Sequence, residues 1–362
     1  MNGKLLTLAL ALAFAGCAGA SAGTSSSTRP GATAASDKIA AQPLYRDPVY
    51  GYGTDPVFTY NAETKRWLMY YTQRRGPSIA LIHGTKIGIA ASEDNGATWK
   101  YIGTADITYG QKEHPKDYTY WAPEVIWAKG QYHMYLAFVP GIFSDWNHHR
   151  EIGHITSHDG IHWTTVGKID LKSNKVIDPC VIQLPNGVWR MFYKDEASRH
   201  NVNYADSTDL YHWSSKGPAV TDRNGEGEKC FHWQGKYWLM ADTDRPQGQA
   251  VWSSDDCTHW TPQASTIFGS HGDVVINPVT QRAWWFYFGG QRPANQNWAM
   301  VPDGQPLRPP ATGAEPATSR PAGGRGIAIN VVELKVIDGK LMFTNPGAPT
   351  PINLGNQREV EK

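Results

Sequence analysis

Acidic side chains recur along this chain just before short apolar segments, and their type and placement suit chemistry. The set comprises Asp55, Glu124, Asp178, Glu226, and His271 with Asp273. Carboxyl groups gathered in one small volume are unfavourable unless they titrate, pair with cations, bind a metal ion or take part in catalysis. The pattern therefore predicts a site built from carboxylates, provided that the fold brings these positions together.

Five similar sequence units supply such a fold. Each has an apolar strand, a turn and an aromatic-rich strand, over residues 58–71, 125–138, 181–193, 231–240 and 274–288. Four units continue into a Ser- and Asp-rich turn that ends in a tryptophan, namely Trp99, Trp163, Trp213 and Trp260. Repeats of about this length are typical of propellers.

We therefore predict an all-β fold, a five-bladed β-propeller of four-stranded antiparallel blades around a central funnel. It would span residues 45–345 as the catalytic domain, with residues 346–362 as a C-terminal tail. The innermost strand of each blade lines the funnel, so the acidic residues at the starts of these strands should converge there.

Residues 1–20 are typical of a signal peptide, because Leu5 opens a ten-residue apolar stretch too short to span a bilayer. The segment that ends in Cys17 resembles a bacterial lipobox, which predicts a lipidated mature N-terminus. Ordinary cleavage near residues 18–20 is the alternative. Residues 18–38 would form a flexible linker. We expect an exported protein, either an outer-membrane or periplasmic lipoprotein or a secreted one, with membrane contact only through Cys17.

Charge and cysteine content narrow the function classes. The formal net charge of the 362 residues is +1, so no basic face for nucleic acid is expected. Three cysteines follow Cys17, and an odd number leaves at least one free thiol. We favour Cys180 and Cys230 as small buried residues, with a disulfide between them as the alternative. Residues 302–325, rich in Pro, Ala and Gly, are predicted to form a long surface loop.

The ordered set of short motifs resembles glycoside hydrolase family 43, the group of arabinanases, arabinofuranosidases and xylosidases. The matching motifs are Thr54-Asp55-Pro56, Trp121-Ala122-Pro123-Glu124, Ile177-Asp178-Pro179, Glu226-Gly227 and His271-Gly272. The resemblance spans about residues 45–345, and Glu228 replaces the usual proline. It implies a five-bladed glycosidase that releases terminal arabinofuranosyl or xylosyl residues from an oligosaccharide or polysaccharide with inversion.

The resemblance also implies catalytic roles. Asp55 would be the general base that activates water, Glu226 the general acid, and Asp178 the group that orients the acid and tunes its pKa. An inverting enzyme needs two carboxyls about 6.5–9.5 Å apart, a separation that opposite funnel walls can provide. Glu228 is the rival acid, because it lies two residues beyond Glu226.

Other residues are predicted to bind substrate, namely Trp121, Glu124, Asp145, Trp146, Arg150 and His271. The segment 143–150 is too polar for a core and too aromatic for an ordinary loop, so it indicates a sugar-binding rim loop; a structural loop is the alternative. The resemblance places His271 on the axis near a structural calcium or sodium ion, and no cofactor is required. A buried histidine bonded to Asp273 or to a carbonyl is the alternative. Arg74, Arg75 and Trp121 are weaker candidates; for Trp121, packing of the second blade is the alternative to a stacking platform.

Other functions remain open at this point. A galactofuranosidase or another unusual exo-glycosidase would use the same carboxylates. A non-catalytic carbohydrate-binding propeller would tolerate the loss of Asp55 or Glu226. A sialidase-like propeller would need three arginines and a tyrosine nucleophile instead. A phosphorolytic enzyme would need a phosphate pocket, to which Arg150 or Arg74 would contribute.

Overall fold

A computed structural model describes residues 36–244, 247–265, 267, 269–289, 326–344 and 347–356. Over these residues the chain forms five four-stranded antiparallel sheets and one two-stranded sheet. The five sheets are the blades of a propeller, as predicted. The predicted signal peptide, Cys17 and the loop at 302–325 lie outside the described residues. None of the described helices is long and apolar enough to cross a membrane.

Each blade is built from four consecutive strands that pair in chain order. Blade one contains β2 (Tyr52–Asn61), β3 (Arg66–Arg74), β4 (Lys86–Ser92) and β5 (Lys100–Thr104). Blade two contains β6 (Thr119–Ala128), β7 (Gln131–Val139), β8 (Glu151–Ser157) and β9 (Thr164–Lys168). Blade three contains β10 (Val176–Gln183), β11 (Trp189–Asp195), β12 (Val202–Ser207) and β13 (Ser214–Pro218).

Blades four and five repeat the arrangement. Blade four contains β14 (Glu226–Trp233), β15 (Lys236–Asp244), β16 (Gln247–Ser254) and β17 (Thr261–Gln263). Blade five contains β18 (Ser270–Ile276), β19 (Ala283–Gly289), β20 (Ala328–Ile337) and β21 (Lys340–Phe343). One short helix, α1 (Ile79–Ile82), interrupts blade one, and β1 (Lys38–Ala40) pairs with β22 (Thr350–Ile352).

The repeated Ser/Asp turns join the third and fourth strands of the first four blades. In the turn after β8, the Ser157 hydroxyl donates to Asp159 at 3.0 Å, and the same carboxylate oxygen accepts the backbone N–H of Ile161. Trp163, which ends this turn, is buried between blades one and two. The motif is therefore a structural turn that fixes the blade edge.

Apolar clusters between neighbouring blades form the core. The cluster that closes the ring packs Phe58 and Trp67 of blade one against Trp284 and Phe286 of blade five. The segment that contains β22 covers this seam, and Trp67 and Trp284 each donate an indole N–H to its backbone. The ring is thus closed by side-chain packing and this added strand, since each blade takes all its strands from one continuous stretch of chain.

The three cysteines after Cys17 are buried and free, which confirms the favoured prediction over a disulfide. Cys180 Sγ accepts the backbone N–H of Cys230 at 3.2 Å. Cys257 lies on the other side of Cys230, with their sulfur atoms 3.8 Å apart.

Candidate active site

A β-bulge near the start of each innermost strand aims side chains at the axis. The bulges interrupt strand pairing at Thr54/Val57, Trp121/Glu124, Ile177/Cys180, Glu226/Lys229 and Ser270/Gly272. In the first three blades a proline follows the bulge residue, and a residue without an N–H is tolerated there because a bulge leaves it unpaired. Asp55 and Asp178 adopt φ values of 53° and 56°, a left-handed conformation that aspartate tolerates.

The bulges correct the alignment that the sequence suggested. The sequence predicts the acidic residues at one equivalent position in every blade. The first unpaired residue of the bulge is Asp55 in blade one and Asp178 in blade three. In blades four and five the same position is taken by Gly227 and His271, so Glu226 lies one residue before it. Glu124 and Asp273 lie two residues beyond their bulge residues, at the position of Lys229. The carboxylates therefore separate into two clusters.

The first cluster surrounds His271. Its Nε2 lies 3.0 Å from Asp55 Oδ1, and its Nδ1 lies 3.7 Å from Asp242 Oδ2. Burial alone would raise the pKa of Asp55, but the bond to His271 and its charge lower that pKa to about 2. Burial would lower the pKa of His271, but Asp242 and Asp55 hold it well above its usual value. Asp55 is therefore an ionised carboxylate beside an imidazolium.

Asp178 and Glu226 are joined through the blade-four bulge. Asp178 accepts the backbone N–H of Gly227 at 2.9 Å, which ties it to the residue after Glu226. Burial raises the pKa of Asp178 to about 6, with Glu226 and Asp55 adding to the rise against the opposing charge of His271. Gly227 is required here, because its φ is +62° and a Cβ would lie 1.9 Å from Cγ of His271.

Glu226 is partly exposed and is paired with a lysine. Its side chain is 45% exposed, and Lys194 Nζ donates to it at 2.7 Å. Burial would raise the pKa of Glu226, but the Lys194 charge holds it below its usual range. The same Lys194 nitrogen lies 3.2 Å from Glu196.

Glu228, the rival acid, lies inside the wall. It is 3% exposed, and neither carboxyl oxygen has a hydrogen-bond partner among the described residues. Burial, together with the Asp178 carboxylate, raises its pKa well above its usual value. Burial thus favours the neutral form of the Glu228 carboxyl, which lines the axial cavity together with Asp55 and Asp178.

The second cluster is centred on Lys229. Its ammonium lies 3.1 Å from Glu124 Oε2 and 2.7 Å from Asp273 Oδ1. Burial would lower the pKa of Lys229, but Asp273 and Glu124 keep it well above its usual value. Glu124, predicted to bind substrate, therefore lies in a buried ion triad.

A cation held by His271 does not fit this arrangement. Carboxylates lie near both ring nitrogens and favour the imidazolium form of His271, which offers no lone pair to a metal ion. Ligand atoms of Glu226, Asp242 and His271 lie within 4.8 Å of one another, but Lys194 already neutralises Glu226. In the second cluster the Lys229 ammonium supplies the positive charge.

The predicted rim loop carries one exposed ring. Trp146 is 47% exposed, whereas Trp121 is buried beneath it, 5.8 Å away between ring centroids, and donates its indole N–H to Ile82. Asp145 is exposed beside Trp146. Arg150 is 2% exposed, donates to the Trp146 carbonyl at 2.7 Å and lies 2.5 Å from Glu196. Arg150 is therefore a buried support of the loop.

The two weaker arginine candidates have different positions. Arg74 lies over the ring of Phe288, 5.5 Å from its centroid, and its charge helps to lower the pKa of Asp55 after the larger effect of His271. Arg75 donates to the carbonyls of Ala80 and His83 and so holds the segment that contains α1.

Sequence reasoning missed Lys194, Glu196 and Asp242. In an antiparallel hairpin the end of the second strand lies beside the start of the first, so Lys194 pairs with Ile177 and Asp242 with Glu226. The signal that would have found them is the charged residue at the end of the second strand in blades one, three and four, as in Lys194-Asp195-Glu196.

No family model matches the sequence, and no curated protein matches it. Solved structures match the fold. A thermostable family-43 glycoside hydrolase is 16% identical with a TM-score of 0.60, covering 85% of this chain and 99% of that one. A family-43 β-1,3-galactosidase with galactodeoxynojirimycin is 12% identical with a TM-score of 0.61, covering 88% and 100%. A Xanthomonas citri family-43 enzyme with xylotriose is 15% identical with a TM-score of 0.57, covering 82% and 91%.

Proposed function

This chain has a propeller of the type found in glycoside hydrolase family 43, and we propose that it is a glycosidase that releases terminal sugar residues with inversion. The observation that carries the proposal is the cluster of Asp55, Asp178 and Glu226 around the imidazole of His271. Within this one site the pKa of Asp55 is lowered while that of Asp178 is raised. Carboxyls whose environments separate their pKa values are typical of acid–base catalysis.

Asp55 has the properties of a general base. It is ionised, and His271 and Arg74 favour its charged form. Thr54 donates its hydroxyl to the second carboxylate oxygen at 3.0 Å. In the proposed reaction Asp55 takes a proton from water as that water attacks the anomeric carbon.

Glu226 is proposed as the acid because its carboxyl is open to the funnel. To donate a proton to the leaving oxygen it must first be released from Lys194, and Glu196 provides a second partner for that ammonium at 3.2 Å. Asp178, bound to the Gly227 N–H, positions Glu226 and favours its protonated form through its own negative charge.

The proposed substrate is an oligosaccharide or polysaccharide with terminal arabinofuranosyl or xylosyl residues. Support comes from the descriptions of structures with the same fold, which include a β-xylosidase/α-arabinofuranosidase in complex with xylotriose and a xylan β-1,4-xylosidase. A galactosyl or galactofuranosyl substrate is the second candidate, favoured by the β-1,3-galactosidase. We also propose export, with lipidation at Cys17, on the strength of residues 1–20; mass spectrometry of the mature N-terminus tests it.

The test of the proposed function is hydrolysis of a nitrophenyl glycoside panel. The panel contains α-L-arabinofuranoside, β-D-xyloside, β-D-galactofuranoside and α-L-arabinopyranoside. Wild type should cleave one of them, and Asp55→Ala should lower kcat/KM by about 10²–10⁴-fold. Glu226→Gln should cause a loss of that size on the disaccharide of the same sugar, whose leaving oxygen needs a proton, and a smaller loss on the nitrophenyl glycoside. Glu228→Gln is the matched control, because its carboxyl is buried whereas that of Glu226 is partly exposed, and it should retain most activity.

Two outcomes would contradict the proposal. A large loss in Glu228→Gln with activity retained in Glu226→Gln would move the acid to Glu228. Tight sugar binding without hydrolysis, unchanged by Asp55→Ala and Glu226→Gln, would favour the non-catalytic binding propeller.

A further inference from the structure

Two buried thiols contact each other in blade four. Cys230 lies on the innermost strand β14, and Cys257 lies in the turn between β16 and β17. Their sulfur atoms are 3.8 Å apart, and the two residues are 4% and 0% exposed. We propose that Cys230 and Cys257 are a modification site, at which a small-molecule disulfide oxidises the two thiols to a structural disulfide bond. This inference goes beyond the proposed glycosidase activity and does not depend on it.

The third thiol of this region, Cys180, is placed to stay reduced. Its sulfur accepts the backbone N–H of Cys230 at 3.2 Å and lies 3.9 Å from the carbonyl oxygen of the same residue. These contacts direct the Cys180 sulfur to the main chain of Cys230, whereas the Cys257 sulfur contacts the Cys230 sulfur itself. The geometry therefore selects one pair among the three cysteines and leaves Cys180 as a thiol.

The backbone of Cys257 is held in place by its turn. Its φ is 61°, at the position that Gly160 and Leu210 take in the turns of blades two and three. Arg190 of blade three donates a guanidinium N–H to the Cys257 carbonyl at 2.6 Å. A disulfide needs the two sulfur atoms to approach to about 2.05 Å. Since the main chain is fixed at both cysteines, rotation of the two side chains makes this approach.

The reaction is a thiol–disulfide exchange with an oxidant such as oxidised glutathione. The thiolate of one cysteine attacks the oxidant, whose S–S bond breaks, and one glutathione thiol leaves. The thiolate of the other cysteine then attacks this mixed disulfide, forms the Cys230–Cys257 bond and releases the second glutathione thiol. The two cysteines lose two electrons to the oxidant, and their two protons end on the two glutathione thiols.

Burial decides when this exchange takes place. It raises the pKa of Cys230 well above its usual value, and the contact with Cys257 adds to the rise. Because the thiolate is the nucleophile, exchange should be slow in the folded protein and fast while the chain folds. The proposed export supplies an oxidising compartment at that stage.

Refolding of the full chain with oxidised glutathione, or with reductant alone, tests the proposal. Free thiols are then alkylated in denaturant, and tryptic peptides are analysed by mass spectrometry, which resolves all three cysteines because a lysine or arginine lies between each two of them. The oxidised sample should contain the Cys230 peptide linked to the Cys257 peptide, with Cys180 alkylated. The link closes residues 230–257 into a loop, so the midpoint of urea unfolding should rise by roughly 0.5–1 M and fall again with reductant.

Cys257→Ser removes one partner of the pair, and Cys180→Ser is the matched control because it removes a buried thiol outside the pair. Cys180→Ser should keep the linked peptide and the effect of reductant on the midpoint, whereas Cys257→Ser should lose both. Alkylation of all three cysteines in the oxidised wild type, or a linked peptide that contains Cys180, would overturn the proposal. Equal midpoints of oxidised and reduced wild type would also overturn it, and neither result bears on hydrolysis of the glycoside panel.

Discussion

The two charged clusters on the propeller axis differ in their burial and in how completely their charges are paired. Around Lys229, the charged groups are buried, and each carboxylate has both a cation and a backbone N–H as partners. Around Glu226, carboxylates outnumber cations, Glu226 is open to the funnel, and the pKa of Asp55 is lowered while that of Asp178 is raised. Satisfied charges indicate a structural cluster, whereas opposed pKa shifts and access to solvent indicate chemistry.

The Lys229 cluster links all five blades. Lys229 belongs to blade four, Glu124 to blade two and Asp273 to blade five. Glu124 accepts the N–H of Val181 in blade three at 3.0 Å, and Asp273 accepts the N–H of Phe58 in blade one at 2.8 Å. One lysine thus anchors two carboxylates that together hold the innermost strands of the ring.

The largest effect is expected from breaking this anchor. Lys229→Met leaves Glu124 and Asp273 buried without their cation, and the loss of one partner from a buried ion pair costs about 3–5 kcal/mol. Denaturant unfolding should show this loss in the free energy of unfolding. Lys236→Met, which removes an exposed pair with Asp255, is the control and should cost about 0–1 kcal/mol. Equal stabilities of the two variants would refute the anchor.

A smaller effect on stability and activity should follow from disturbing the packing of His271 against Gly227. Gly227→Ala imposes left-handed backbone strain of about 1–2 kcal/mol and adds a clash with the imidazole, so both stability and kcat should fall. Gly235→Ala in the same blade is matched, since its φ is +76° and nothing lies within 4 Å of a Cβ there. It should show the strain alone. Similar losses of kcat in both variants would contradict the packing argument.

The smallest effect is a shift in pH dependence. Lys194 lowers the pKa of Glu226 and so favours the ionised form, which does not donate a proton. Lys194→Met should raise the pKa of Glu226. The decline of kcat/KM on the basic side of the pH profile should then move to higher pH. At neutral pH, kcat/KM expressed as a fraction of its maximum should be several-fold higher than in wild type. The other charged groups near Glu226, namely Asp55, Asp178, Asp242 and His271, remain in this variant. An unchanged basic limb would remove Lys194 from control of the acid.

The sequence predicted the blades, their number and the inner-strand carboxylates, because turn chemistry and strand alternation are local signals. The sequence did not predict which carboxylates belong to the His271 cluster and which to the Lys229 cluster. A bulge changes the side of the strand that a residue faces, and composition does not reveal this change. Glu124 was grouped with Asp55 for that reason. Lys194 and Asp242 come from neighbouring strands, and their proximity depends on register, which single motifs do not specify.

The most direct measurement is to determine kcat/KM and the free energy of unfolding together for Glu226→Gln and Lys229→Met. Glu226→Gln should lose about 10²–10⁴-fold in kcat/KM on a substrate with a sugar leaving group and keep its stability. Lys229→Met should lose about 3–5 kcal/mol of stability and keep most activity where it is folded. Activity retained in Glu226→Gln, or stability retained in Lys229→Met, would contradict the division into a chemical and a structural cluster.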